Sequence, residues 1–372
     1  MELLRNKKAV AAFVVAALLA LAGIGAWVHE GLADTSDMGL TSAVPWGSSM
    51  ALFIVFIGLA TGSLLVAAAS VLFGWKSLER VCGASAAAGL AASVGGVFYI
   101  MSDLGNFPNV WHMLTGFNPA SLLSWDMIAL PLFMVSAVVF LLCLRTRRGL
   151  RGAAVFAVVA SLFLLFIDAW IFAFTTAREA WNSSLMLPWF IVSAALSGLA
   201  LTLLVAAPFG VSFAGSRKVL NGLVALLAVD LFFAATEVAL GLYHGAGIDF
   251  AVSTSLLSGT LAPWFWVELA CGTGALVLAL RAKTSSSRAL PVVAATLVLA
   301  AICAKRLYLI GAGFIVPLMA EPTAEGIMAR AAAVGSAAGM TSTAWLLALG
   351  GIGLLVALFL AARTVTPLGN VE

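Results

Sequence analysis

Apolar runs of membrane-crossing length recur ten times along the chain, at about 9–29, 46–74, 81–101, 122–144, 152–176, 186–208, 219–243, 261–281, 289–312 and 342–362. A helix needs about 20 apolar residues to cross the hydrocarbon core of a bilayer. The connections between runs alternate in character. One set is short and basic. The other is longer and carries Trp, Asn, Asp, Gly and Pro. The basic set holds Arg5, Lys7, Lys8, Lys76, Arg80, Arg145, Arg147, Arg148, Arg151, Arg217, Lys218, Arg281, Lys283, Arg288 and Arg363, which is 15 of the 19 Lys and Arg. The other set holds only Arg178 and Arg330. Basic connections stay on the cytoplasmic side. The pattern therefore predicts an all-α, polytopic transmembrane helical bundle of about ten helices, with both termini cytoplasmic. It divides into a first helix and outer loop (1–45), a core of helices two to nine (46–312), and a last outer loop, helix and tail (313–372).

Composition agrees with that class. Of 372 residues, 63% are hydrophobic and 9% charged, where a soluble domain carries about 25% charged residues. The net charge of +3 is too small to suggest nucleic-acid binding. The N-terminus resembles a signal peptide. However, its apolar run from Ala9 to Trp27 is longer than a usual signal core, with no clear small-x-small cleavage site, so it reads as a retained helix. Cys82, Cys143, Cys271 and Cys303 lie in apolar runs without a Cys-x-x-Cys spacing, and free cysteine packs as a small hydrophobe. These four do not form the usual iron–sulfur ligand set. His29, His112 and His244 fall at outer helix ends or in outer loops, so no helix offers a mid-depth histidine for a bis-histidine haem b. Gly58 and Gly62, extended by Ser63, form a small-x-x-x-small spacing that lets helices approach closely.

Two features carry candidate chemistry. The first is the outer stretch from Ser102 to Trp125, SDLGNFPNVWHMLTGFNPASLLSW. It is too long for a plain connector and too aromatic and amidic for a flexible one. The second is a set of ionisable residues inside the predicted helices, where charge is expensive and marks pairing or function. They are Asp126, Asp168, Asp230, Glu237, Glu268, Lys305 and Arg306. At 1.5 Å per residue, Asp168 lies about 25 Å along its helix from Arg151, and Glu237 is similarly deep beyond Lys218. Both signs gather in the outer half, with Asp230 nearer mid-depth and on the same helix face as Glu237. The structural explanation pairs Lys305 or Arg306 with Asp168, Glu237 or Glu268. The functional one is an outer-half polar pocket with a partial carboxylate ladder for protons.

The residues also resemble a family. The second helix opens Pro45-Trp46-Gly47 and runs ALFIVFIGLATGS. The third ends in Asp103-Leu104-Gly105. The loop continues through Pro108, Trp111-His112, Asn118, Ser121 and Trp125, and the eighth helix begins Pro263-Trp264-Phe265-Trp266 with Glu268. This order is similar to the NrfD/polysulfide reductase membrane subunits over most of 45–310. The helix count matches the longer HybB and DsrP types. Two positions depart from the family pattern: Asn106-Phe107-Pro108 replaces the usual Arg-Pro, and Trp125-Asp126 replaces Trp-Gly.

The resemblance implies a quinone-binding subunit in the cytoplasmic (inner) membrane. It would take menaquinone or ubiquinone, with no haem or metal in this chain. An iron–sulfur partner would sit at the outer face. Beyond that partner would come a molybdopterin subunit, a hydrogenase or a multihaem cytochrome. Candidate quinone contacts are Asp103, His112, Asn118, Ser121, Trp125, Lys305 and Arg306. Candidates for proton transfer are Asp126, Asp168, Glu237 and Glu268, with Asp230 and Glu237 as a path. The alternative is a secondary transporter or ion-translocating protein that uses the same buried charges. A surface helix is also predicted near Glu325 to Val334.

Overall fold

A computed structural model describes residues 7–33, 44–104, 110–211, 213, 216–315 and 340–365. The helix predicted near 325–334, and Asn106 and Pro108 of the outer loop, lie outside the described residues. Ten helices have the length and hydropathy to cross a membrane, each 21 to 28 residues long. In chain order the helices are α1 (Lys7–Ala33), α2 (Ser48–Leu72), α3 (Lys76–Glu79), α4 (Cys82–Asp103), α5 (His112–Thr115), α6 (Leu122–Thr146), α7 (Leu150–Ala173), α8 (Met186–Ala206), α9 (Arg217–His244), α10 (Gly247–Ser258), α11 (Ala262–Ala282), α12 (Ala289–Ala312) and α13 (Ser342–Val365). The ten long ones match the ten apolar runs. No strand occurs among the described residues.

The apolar content of α2 explains its central place. Most of its residues are buried, and it packs on α4, α7, α8 and α12. Its glycines permit this. A Cβ on Gly62 would overlap the Ala194 carbonyl of α8, and one on Gly198 would overlap the Gly62 backbone. The small-residue spacing read from Gly58 and Gly62 is therefore a backbone-to-backbone crossing. Hydroxyls add polar links beside it. Ser85 Oγ on α4 donates to Ser63 O at 2.9 Å and lies 2.7 Å from Thr202 Oγ1 on α8.

The first and last spans form a pair. α1 packs on α13, where Gly23 meets Gly350 with no room for a Cβ on either. α13 in turn packs on α4, and Tyr99 donates a 2.9 Å hydrogen bond to the Ala348 carbonyl.

One element differs from the expectation drawn from sequence. The connection after α9 folds into a twelve-residue helix, α10. Gly245 and Gly247 adopt φ of 67° and 87°, which turns the chain back. Asp249 in the first turn of α10 favours the helix N-terminus. Val252, Ser253 and Leu256 are buried against the rest of the bundle. At twelve residues the segment falls short of a membrane span, so no hydropathy window of that length reports it.

Candidate functional site

The intramembrane charges converge where α7, α8, α9, α11 and α12 meet. Asp168, Asp230, Glu268, Lys305 and Arg306 are each no more than 4% exposed. Lys305 Nζ donates to Asp230 Oδ1 at 2.6 Å and lies 3.2 Å from Glu268 Oε1. It also sits 4.2 Å from the centroid of the Trp189 ring. One ammonium thus answers two carboxylates and one aromatic face. The Tyr308 hydroxyl faces Glu268 without reaching hydrogen-bond geometry.

Glu268 is one of the partners expected for Lys305. Asp230 was expected deeper and apart. Counting residues along each helix ignores the flexible four-carbon stem of lysine, which lets its charge lie away from its own backbone level.

Arg306 is the second cation. One of its terminal nitrogens donates to Ser193 Oγ on α8, and its guanidinium lies 4.0 Å from the Phe190 ring centroid. Its Nε and Nη1 are buried with no hydrogen-bond partner. Asp168 lies within electrostatic reach of Arg306 and of Asp126 on α6. Neither Asp168 oxygen has a hydrogen-bond partner. Asp103 at the end of α4 and Asp126 each also bury one unpartnered carboxylate oxygen. Buried polar atoms are normally satisfied, so this concentration of open donors and acceptors is unusual.

An aromatic cap closes one end of this group. Trp181, from the α7–α8 connection, is 2% exposed and donates from Nε1 to the Leu309 carbonyl at 2.7 Å. Trp46 stacks on it at 5.5 Å, while Phe172 and Phe314 meet it edge-on at 5.2 Å. Gly313 is required there, because a Cβ would overlap the Trp181 ring. Arg178 lies 4.6 Å from the Phe314 ring centroid and donates to the Gly313 carbonyl at 3.2 Å. The connection that carries Arg178 is thus folded into the bundle.

The outer-loop candidates divide. His112 is exposed and its ring lies tilted against that of Trp111. Asn118 is exposed, and its side-chain oxygen accepts from the Ala120 amide. Trp125 Nε1 donates to the Pro119 carbonyl at 3.0 Å, and its ring meets Phe117 edge-on. Ser121 precedes α6 and its carbonyl accepts from the Ser124 amide. These groups use their recorded contacts to fold the loop itself. Asp103 and Asp126, at the two helix ends beneath it, are the members with buried open oxygens. His29 and His112 are exposed and stand apart from the buried charges, whereas His244, 3.8 Å from Asp249, lines the same cleft as Glu237.

A cleft of about 190 Å³ opens beside the ion cluster, between the α7–α8 connection, α8, α9 and α10. Trp189, Phe233, Glu237, Leu240 and Val252 are among its walls. Trp189 thus faces the cleft with one part of its ring and Lys305 with another, and its buried Nε1 has no partner. Glu237 lies within electrostatic reach of Lys305 and Glu268.

This arrangement lies inside a recognised sequence family. Residues 37–318 match Polysulphide reductase, NrfD. The chain belongs to the NrfD family.

It is 29% identical to a protein of Halobacterium salinarum named as the putative membrane subunit of a dimethyl sulfoxide reductase, over 77% of this chain and 72% of that protein. It is 30% identical to the Hdr-like menaquinol oxidoreductase integral membrane subunit of Archaeoglobus fulgidus, over 75% and 73%. It is 24% identical to a selenate reductase subunit of Mesobacillus selenatarsenatis, over 68% and 70%. This NrfD-family chain is a multi-pass integral membrane protein, and the transporter alternative is not favoured. The family match spans α2 to α12. It leaves outside it α1 and α13, the two helices that pair with each other. Every intramembrane charge named above lies within the match.

Trp181, Trp189, Ser193 and Tyr308 do not stand out in the sequence as members of this site. Tyr308 alone leaves a signal, lying three residues beyond Lys305 and so on the same helix face. The tryptophans read as membrane-interface anchors, and Ser193 as a packing residue.

Proposed function

We propose that this chain is the quinone-reactive membrane subunit of a multisubunit oxidoreductase. The observation that carries the reading is the pairing of open polar atoms in one buried place. Asp168 offers two unpartnered carboxylate oxygens, and Arg306 offers two unpartnered N–H donors. A quinone couple presents carbonyl acceptors in one redox state and hydroxyl donors in the other. Residues with both kinds of open atom fit both states. The aromatic residues Phe190, Trp181 and Trp46 supply apolar walls around a flat ring. The names of the relatives support the same class: one is a menaquinol oxidoreductase membrane subunit and two are reductase subunits.

In this mechanism Arg306, held by Ser193, donates to a carbonyl oxygen. Asp168 holds or accepts the proton of a hydroxyl. The bound quinone supplies the two-electron, two-proton couple. Asp126 and Asp103 extend the carboxylate group toward the outer loop. Asp230, Glu268 and Glu237 extend it on the other side around Lys305. Four carboxylates, Asp168, Asp230, Glu237 and Glu268, stand around the two cations, so some are not neutralised by a fixed charge and can take and release protons. Menaquinone is favoured over ubiquinone by the Archaeoglobus relative's name. The segregation of basic residues to one side supports an inner-membrane orientation with the Asp103 loop outside. An iron–sulfur partner on that side, linked to a catalytic subunit, would exchange the electrons.

The test is to purify the complex from its own membranes in mild detergent. Bound quinone should co-purify with an iron–sulfur protein, and added quinol should reduce that protein's clusters. A chain that isolates alone, holds no quinone and moves an ion across liposomes would overturn the reading.

A further inference from the structure

The basic ends of four spans enclose a cavity that the quinone-linked reading does not use. Ser70, Glu79, Cys82, Leu144, Arg147 and Arg151 are among its walls, and its volume is about 270 Å³. Ser70 is near the end of α2, Cys82 begins α4, Leu144 is in the last turn of α6 and Arg151 is in the first turn of α7. A cavity bounded by the ends of four apolar spans lies where hydrocarbon gives way to water. Phe73 and Trp75, 69% and 44% exposed, stand beside it, as aromatic residues do at that level.

The charges lining it are Arg147, Arg151 and Glu79. Among the described residues, none of the three is in an ion pair. Arg147 ends α6 in a left-handed conformation, φ 56°, the one positive-φ residue other than glycine among those described. That turn, with Gly149 at φ 63°, brings the chain into α7 within a few residues and sets both arginines on the one cavity. Running away from it along α6 and α7, Val138, Leu142, Val155 and Val159 are 43–59% exposed and face what surrounds the bundle.

Two cations, one carboxylate and an adjoining apolar strip define an occupant. We propose that the cavity holds the headgroup of a phospholipid bearing a primary ammonium, of the phosphatidylethanolamine type. The phosphate meets Arg147 and Arg151, which bind phosphate through forked N–H donors. The ammonium meets Glu79. The acyl chains lie along the exposed apolar strip. A headgroup of phosphate and glycerol would leave Glu79 without a cation, and free phosphate would leave the strip uncovered.

The experiment uses the delipidated full-length chain, titrated in detergent with phosphatidylethanolamine, phosphatidylglycerol or inorganic phosphate, with binding read by native mass spectrometry and thermal unfolding. Wild type should bind phosphatidylethanolamine best. Arg151→Gln should weaken that binding about tenfold, the size of one lost charge-assisted hydrogen bond. Glu79→Gln should abolish the preference for ethanolamine over glycerol while both lipids still bind. Because both residues are exposed, the variants should fold, and the preference ratio is independent of overall stability. Three results would overturn the proposal: a wild-type preference for phosphatidylglycerol, protection by inorganic phosphate equal to that by lipid, or variants that bind phosphatidylethanolamine as wild type does.

Discussion

Replacing Lys305 by methionine is expected to cost about 3–5 kcal/mol of stability, the usual penalty for breaking a buried ion pair from one side. The reason is local. Asp230 Oδ1 lies 2.6 Å and Glu268 Oε1 3.2 Å from the Lys305 ammonium. Both carboxylates are buried, so removing the cation leaves two acidic side chains without a counter-charge in a water-poor interior. The stem of methionine still fills much of the space, so packing loss is the smaller part of the effect. The variant should unfold at lower temperature in detergent and accumulate poorly in membranes. The triple variant Lys305→Met, Asp230→Asn, Glu268→Gln separates the causes, because removing charge on both sides of a buried pair is often near neutral. It should recover most of the lost stability without recovering turnover. A single variant that unfolds with the wild type would show that the pair does not hold the bundle.

The largest effect on activity is expected from Asp168→Asn. The substitution keeps the shape of a residue that is 2% exposed and has no hydrogen-bond partner on either oxygen. It removes the negative charge and the ability to take up a proton, and puts an NH2 donor in place of one acceptor oxygen. Quinol turnover by the assembled complex should fall roughly 10²-fold or more, the typical worth of a positioned general base. Assembly with the partner protein should be intact by gel filtration. If turnover is unchanged, Asp168 is not in the site, and the open Arg306 donors need another partner.

How far these residues are legible in the sequence differs from case to case. The ten spans are readable because a bilayer fixes a length of about 20 apolar residues, and each run meets it without help from the others. The alternation of basic and non-basic connections is equally plain along the chain, and it is the basis of the expected orientation. The twelve-residue α10 is not readable, since its stability comes from burying Val252 and Leu256 against neighbours. The intramembrane charges can be named one by one, because an ionisable residue in an apolar run stands out. Their partners are legible only in part. Depth offers Lys305 or Arg306 the partners Asp168, Glu237 and Glu268; Glu268 does lie 3.2 Å from Lys305, but the shorter 2.6 Å contact is with Asp230, brought near by helix packing and lysine's reach. Trp181 is invisible as a cap, because nothing in its own segment shows that the connection folds back under Gly313. The outer loop stands out for length and aromatic content. Its His112, Asn118 and Trp125 make their recorded contacts within the loop, and the open oxygens beneath it belong to Asp103 and Asp126.

The central claim is that a quinone meets the protein at the Asp168–Arg306 group. Photolabelling the purified complex with an azido-quinone tests it most directly. The account predicts label on α7, α8 or α12 peptides around Asp168, Phe190 and Arg306, lost when excess menaquinone competes. Label confined to other helices, or undiminished by competing quinone, would contradict it.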